Sequence, residues 1–300
     1  MTTPSKGRAG GAATPTALTN IQVDVTTRMG ALTPATPTGL ALLDRLLSGG
    51  LRTGTMMSIS GAAGSGRTAF CLLIAYMAAR TKAAVLFTSV SLDETELMAR
   101  LAARALHREY PDSRTSYGAI WSGQAWQDEA TRRPVGSAVE TVVKKVGAHL
   151  HIYRAEPFAS TSRIAECTAR LWARHERVVL VLDDIEAFSA GLDGTAGAHA
   201  NASLENRVAQ VAYELRQISE QGCAVVASVL KRNAEVVAPA VTLAAELQTR
   251  ESTGAAMPER QLALGARPLD LVITKNRLGP TGIVPLRFIA GAGTFEERAP

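Results

Sequence analysis

From Gly39 onward, short apolar runs rich in β-formers alternate with longer stretches in which apolar positions recur every three or four residues. The short runs predict strands at 55–60 (TMMSIS), 84–90 (AVLFTSV), 149–153 (HLHIY), 178–182 (VVLVL), 223–228 (CAVVAS), 241–246 (VTLAAE), 269–275 (LDLVITK) and 284–289 (VPLRFI). Between them, Leu204, Val208, Val211, Leu215 and Ile218 fall on one side of a helix, and Ile164, Cys167, Leu171 and Trp172 do the same ahead of VVLVL. Strands alternating with such helices predict an α/β fold, a mostly parallel sheet with crossover helices. The stripes themselves read as core packing, and no internal repeat is evident.

Residues 1–34 break this pattern. They are rich in Ala, Thr, Gly and Pro with little apolar patterning, so they are expected to form a flexible arm in which only Leu18–Val25 has the means to dock on a neighbour. One folded domain over 35–297 is expected to follow. With 300 residues, 46% hydrophobic and 20% charged, the chain can bury a large core. A net charge of +5 leaves nucleic acid open without arguing for it. Cys71, Cys167 and Cys223 form no C-x-x-C pair and read as small core hydrophobes in a reducing compartment. There is no run of eighteen apolar residues and no apolar centre of a signal peptide, so no membrane partner is expected and the chain is expected to be cytoplasmic.

The candidate chemistry begins at "SISGAAGSGRTAF", residues 58–70. A strand runs into Gly61, Ala62, Ala63, Gly64, Ser65 and Gly66, and then into a helical stretch, the setting in which a P-loop presents backbone N–H groups and a helix N-terminus to phosphate. Thr68 would supply the hydroxyl for Mg2+. Arg67 stands where the pattern has lysine, and its planar fork fits a different geometry from an ammonium, so binding should survive better than catalysis. The run "VVLVLDDIEAF" delivers Asp183 and Asp184 to the same edge of a parallel sheet, with Asp183 as the metal-shell carboxylate. In "SVSLDETEL", Asp93 or Glu94 is a candidate water-orienting base, and Asp93 also reads as a helix N-cap with Glu96 completing the pattern.

With these residues in view, the chain resembles DnaB-type replicative helicases. The segments "TPTGLALLDRLLSGGLRTGTMMSISGAAGSGRTAF", "SLDETELMARL", "SYGAIWSGQAW", "LHIYRAEPFASTSRIAECTARL", "VLVLDDIEAF" and "ITKNRLGPTGIVPLRFIAGAGTFEE" follow the order of that family's motor-domain motifs across residues 36–296. The RadA and KaiC groups share the RecA-like core more distantly, and "GPTG" with the terminal strand and "TFEE" points to DnaB. The resemblance implies a RecA-like P-loop ATPase with a twisted, mostly parallel sheet flanked by helices. It implies a homo-oligomeric, hexameric ring binding ATP and Mg2+, with replication or recombination proteins as partners. It also implies that Lys275 and Arg277 of "TKNR" reach the neighbour's γ-phosphate, a trans contribution worth about 10³ to 10⁵ in rate.

The departures from the family cluster at the chemistry. Arg67 replaces the lysine, Asp93 stands where the family has glutamate, and Val229 stands where it has a glutamine that senses the γ-phosphate. Together they imply slow hydrolysis. The family's channel loops hold single-stranded DNA, yet here no Lys or Arg lies between Asp183 and Arg207, and the second loop offers only Lys231 and Arg232. DNA binding is therefore expected to be weak. Two functions stay open, a DNA translocase or helicase and a nucleotide-binding ring-forming regulatory or scaffold protein with little turnover. His149 and His151 share a strand face without an acid or Cys partner for a metal. Trp121 and Trp126 read as packing, and "RLAARALHR", residues 100–108, as a solvated helix face.

Overall fold

The computed structural model describes residues 16–30, 35–110, 112–156, 159–189, 203–250 and 258–298. It divides into two units, Met1–Pro34 and Ala35–Pro300. Within the first, where a flexible arm is expected, lies helix α1 (Leu18–Gly30). Leu18, Ile21, Val25 and Met29 recur along it at steps of three and four, a helical period too sparse to register in the composition of the segment.

The second unit is built on one nine-stranded sheet. After α2 (Ala41–Leu46) come β1 (Met56–Gly61), α3 (Arg67–Arg80), β2 (Ala84–Ser89), α4 (Glu94–Glu109), α5 (Tyr117–Trp121), α6 (Glu129–Val146) and β3 (Leu150–Arg154). The chain continues through α7 (Thr161–Trp172), β4 (Val178–Asp183), α8 (Ile185–Ser189), α9 (Leu204–Glu220), β5 (Ala224–Leu230) and α10 (Ala234–Val237). It ends with β6 (Leu243–Thr249), α11 (Glu259–Ala263), β7 (Ala266–Asn276), β8 (Gly282–Ile289) and β9 (Thr294–Glu297). The strand order is β3-β2-β4-β5-β1-β6-β7-β8-β9. The first six in that order pair in parallel, and β7, β8 and β9 extend the sheet antiparallel. The expected mostly parallel α/β sheet is thus the observed one.

Each central strand buries both faces, and its alternate residues feed two cores. Met57, Ile59, Val85, Phe87, Val179, Val181 and Val226 join α3, α4 and α6, whereas Met56, Leu86, Leu180, Leu182, Val225, Ala227 and Val229 join the side of α7, α8 and α9. Helix α3 is buried nearly all round, from Ala69 to Ala79, because it lies against the centre of the sheet. Val208, Val211, Leu215 and Ile218 of α9 are buried as the stripe requires.

Several features differ from expectation. β9 has only four residues and pairs with β8 through Phe288 and Phe295, a partnership its local sequence does not announce. Arg104 in the expected solvated face is 4% exposed. Its guanidinium lies 4.2 Å from the Tyr76 ring centre, and burial lowers its pKa to about 10. Trp121 and Trp126 are not core residues, being 54% and 37% exposed along a groove shared with Met98, Ile120 and Val139. His175 joins His149, their ring centres 6.4 Å apart, yet no trio of His, Cys, Asp or Glu fit for a metal occurs among the described residues. No helix among the described residues is long and apolar enough to cross a membrane.

Candidate functional site

β1 ends at Gly61, between β5 and β6 at the centre of the sheet, and the chain turns through Gly61–Gly66 into α3. Two glycines are required here by geometry. Gly66 sits at φ +93°, and a Cβ on it would meet the ring tips of Phe288 and Phe295 at 2.9 Å. Gly64 sits at φ +74° with open space around it, so the backbone alone selects glycine. The Ser65 N–H donates to the Ala62 carbonyl at 3.1 Å and closes the turn.

The strand register then delivers the acid. Ser89 of β2 lies level with Asp183 of β4, and Leu182 level with Ala227 of β5, so the ends of these strands converge beside the loop. The Thr68 hydroxyl donates to Asp183 Oδ2 at 2.8 Å, and the Ser228 hydroxyl to Oδ1 at 2.5 Å. Asp183 is 4% exposed. Burial raises its pKa, and the neighbouring Asp184 pushes the same way, while the bonds from Ser228 and Thr68 and the charge of Arg67 oppose the rise. A hard divalent cation beside this hydroxyl and carboxylate would favour the ionised form, so the donor set fits Mg2+. Asp184 faces another task, accepting the Ala187 N–H as the cap of α8. Arg67 Nη1 and Ser65 Oγ are buried without a hydrogen-bond partner, polar atoms aimed where an anion would satisfy them.

A cavity of about 560 Å3 opens beside the loop, lined by Gly64–Ala69, Arg100, Tyr117, Arg267 and Phe288 among others. Arg267 donates to the Gly64 carbonyl while lying 5.0 Å over the Phe288 ring. Arg100 lies 4.2 Å over the Tyr117 ring and pairs with Glu96 at 2.7 Å. These flat cationic and aromatic surfaces suit a planar base.

The remaining expected residues lie at several places. Asp93 is half-buried and caps α4, its Oδ1 accepting the Glu96 N–H at 2.7 Å. Glu94 lines the groove of Trp121 and Trp126, a cavity separate from the one beside the loop. Lys231 pairs with Glu246 at 2.6 Å, and Arg232 is exposed. Val229 is fully buried in the apolar layer below α9. Lys275 is level with Ala244, near the start of β6, whereas Gly61 is level with Leu247 near its end. Three residues of strand, about 10 Å, therefore separate Lys275 from the level of the loop. Arg277 lies further off still, its N–H bonded to the Thr242 carbonyl. Lys275 Nζ donates to the Ala238 carbonyl at 2.5 Å, and desolvation with the charges of Arg277 and Arg216 lowers its pKa. The first expected channel loop falls largely on residues 190–202, outside the described residues.

Sequence reasoning missed Ser228, Glu186, Arg267, Arg100 and Tyr117. Ser228 left the faintest trace, a hydroxyl in an otherwise apolar run. The others come to their places from elements far apart in the chain.

A phosphate cradle at the end of a central strand, an acid on a neighbouring parallel strand and this strand order define a P-loop NTPase of the RecA-like class. Within that class the chain belongs to the DnaB-like helicase C terminal domain family, whose family model matches residues 35–297. One solved structure, that of an isolated ATPase domain, is similar to it with a TM-score of 0.72 at 18% identity, covering 94% of this chain and 99% of that one. A second, "The Structure Of A DnaB-Like Replicative Helicase And Its Interactions With Primase", has a TM-score of 0.71 at 18% identity and covers 94% of this chain and 67% of that one. At this identity they speak to fold alone. No curated protein matches the chain.

Proposed function

We propose that this chain is an ATP-binding motor domain that assembles as a homo-oligomeric, hexameric ring in the cytoplasm and hydrolyses ATP slowly, coupled to single-stranded DNA that it holds weakly. The observation that carries the reading is the bond between Thr68 and Asp183, 2.8 Å long, at the mouth of the glycine loop. Gly61–Gly66 and the start of α3 bind the phosphates, and Arg67 turns its unpartnered Nη1 toward them. Thr68 and Asp183 would hold Mg2+, which when bound supplies charge neutralisation to the β- and γ-phosphates. Arg267 with Phe288, and Arg100 with Tyr117, flank the base. Asp93 orients the attacking water after leaving its capping bond, while Glu94 is the weaker candidate because it lines a different cavity.

Lys275 and Arg277 sit at the opposite edge of the sheet from their own loop, which supports a role on a neighbouring subunit's nucleotide. Slow turnover follows from the fork of Arg67 in place of an ammonium and from Val229, whose buried apolar side chain cannot sense a phosphate. Weak DNA binding follows from Lys231, whose charge is already engaged by Glu246. The same observations favour a second reading, a ring-forming regulatory or scaffold protein in which ATP drives assembly more than movement, working with replication or recombination proteins.

ATP turnover by the wild type and by Arg67→Lys, each with and without single-stranded DNA, tests the proposal. We expect slow wild-type turnover, faster turnover in the variant and little stimulation by DNA. Brisk wild-type turnover accelerated several-fold by DNA would refute the slow-motor reading. A protein that stays monomeric with ATP and Mg2+ would refute the trans role of Lys275 and Arg277.

A further inference from the structure

The stretch from Lys231 to Ala240 is the crossover between two parallel strands, and it runs the height of the sheet. It leaves β5 at Leu230, level with Gly61, and enters β6 at Leu243, level with Met57. Its upper end therefore lies at the edge of the glycine loop and its lower end at the edge of Lys275. Both ends are tied. At the lower end Lys275 donates to the Ala238 carbonyl at 2.5 Å and Arg216 to the Ala240 carbonyl at 3.2 Å. At the upper end a single carboxylate oxygen, Glu186 Oε1, accepts the Leu230 N–H at 2.8 Å and the Asn233 side-chain amide at 2.7 Å.

Glu186 belongs to α8, which begins two residues after Asp183 and is capped by Asp184. Its Oε2 is buried and has no partner, a cost that a surface acid kept for solubility would not bear. Asn233 is itself 4% exposed, so the bond it gives is shielded from water. Val229 packs into the apolar layer on the α9 side and offers the site no polar group. Hence β5 meets the acid-bearing segment at two points, Ser228 on Asp183 and the Leu230–Asn233 turn on Glu186.

We propose that Glu186 is a positioning residue that transmits the state of the nucleotide site at Asp183 to the Lys231–Ala240 crossover, and through it to Lys275. The inference rests on nucleotide binding at the glycine loop. When Asp183 and Thr68 engage the bound nucleotide, α8 carries Glu186 with it, and the crossover follows because its first turn hangs on Oε1. A glutamine retains the link, since an amide oxygen accepts the same two bonds, and an alanine removes it.

Hydrogen exchange on the full chain, with and without Mg2+ and the non-hydrolysable analogue adenylyl imidodiphosphate, reads this directly. In the wild type the analogue should slow exchange about tenfold in peptides spanning Ser58–Phe70 and Leu230–Ala240. In Glu186→Ala the first peptide should slow as before and the second should no longer respond, while Glu186→Gln should restore both responses. If Glu186→Ala does not fold, Asn233→Ala serves in its place by removing one of the two donors, and the crossover's response should fall by at least half. A full response in either alanine variant overturns the proposal, as does a Glu186→Gln crossover that stays silent. A wild-type crossover that ignores a nucleotide protecting the glycine loop also overturns it while leaving the nucleotide reading intact. A glycine loop that gains no protection overturns both.

Discussion

Replacing Gly66 by alanine separates two demands that meet at one atom. The first is backbone strain, since φ is +93° and an L-residue in left-handed conformation costs about 1–2 kcal/mol. The second is space. The new Cβ would lie 2.9 Å from Cζ of both Phe288 and Phe295, whose rings stack at 4.5 Å while Phe295 meets Phe70 edge-on at 5.2 Å. A ring held on two sides cannot retreat without moving its neighbour, and overpacking of this kind costs about 1–3 kcal/mol. The sum, about 2–5 kcal/mol, is a large part of a total stability of about 5–15 kcal/mol. At about 2–4 °C per kcal/mol for a domain of this size, Gly66→Ala should melt roughly 5–20 °C lower by circular dichroism. Gly64→Ala is the internal control. It has positive φ and nothing within 4 Å, so it should lose only the strain, about 1–2 kcal/mol. If both variants melt together, the phenylalanine wall does not set the position of the loop. If Gly66→Ala melts within about 1 °C of the wild type, the packing argument fails altogether.

Three further outcomes follow from other contacts. Thr68→Val removes the donor to Asp183 Oδ2, a charge-assisted bond worth about 1.5–3 kcal/mol. Fluorescent-nucleotide titration should show about a tenfold loss of Mg2+-dependent affinity, and unchanged affinity would take Thr68 out of the site. The hydrogen bond from His107 is the largest cause holding the Glu296 carboxyl below its ordinary value of 4.5. A depressed carboxyl stabilises the fold above its unfolded pKa and loses that contribution as pH falls through the folded one. Glu296→Gln should therefore melt lower than the wild type at pH 7, with the gap closing as pH drops below 4.5, and a gap that widens on acidification would contradict the assignment. Arg104 is buried with no carboxylate partner among the described residues, so Arg104→Met should leave the melting point unchanged or raise stability by about 1–2 kcal/mol. A loss beyond about 3 kcal/mol would show that the contact with Tyr76 outweighs the desolvation.

What could be read from the chain was what it holds contiguously. Strand, glycine loop and helix follow one another from Met56 to Arg80, and the apolar run that ends in Asp183 carries its own meaning, so the cradle and its acid were legible together. The central strands were legible because a strand buried on both faces must be apolar throughout. β9 was not, since Phe295 acquires its partner Phe288 only once the chain has turned back at Ala290–Ala292. Arg104 hid for a related reason. Its neighbours on α4 alternate charge and alanine as a wet face would, and only Tyr76, from another helix, makes its burial tolerable. Ser228, Glu186 and Arg267 reach the site through strand pairing and helix placement, and no spacing in the sequence encodes those distances. Trp121 and Trp126 reverse the usual inference, for large aromatics are expected inside and here they line an open groove.

The central place of β1 has a consequence for how the chain is made. Its two partners, β5 and β6, begin about 170 and 190 residues later, so the strand that leads into the phosphate cradle leaves the ribosome with nothing to pair with. At about 5–20 residues per second, some 10–40 s pass before the last of its hydrogen-bonding partners is synthesised. Through that interval the run from Met56 to Ser60 is an apolar strand with two bare edges, a template for pairing with other chains. The cradle is thus among the last parts of the molecule to take shape, and crowding on the ribosome, rather than weakness of the finished fold, is where this protein is most open to aggregation.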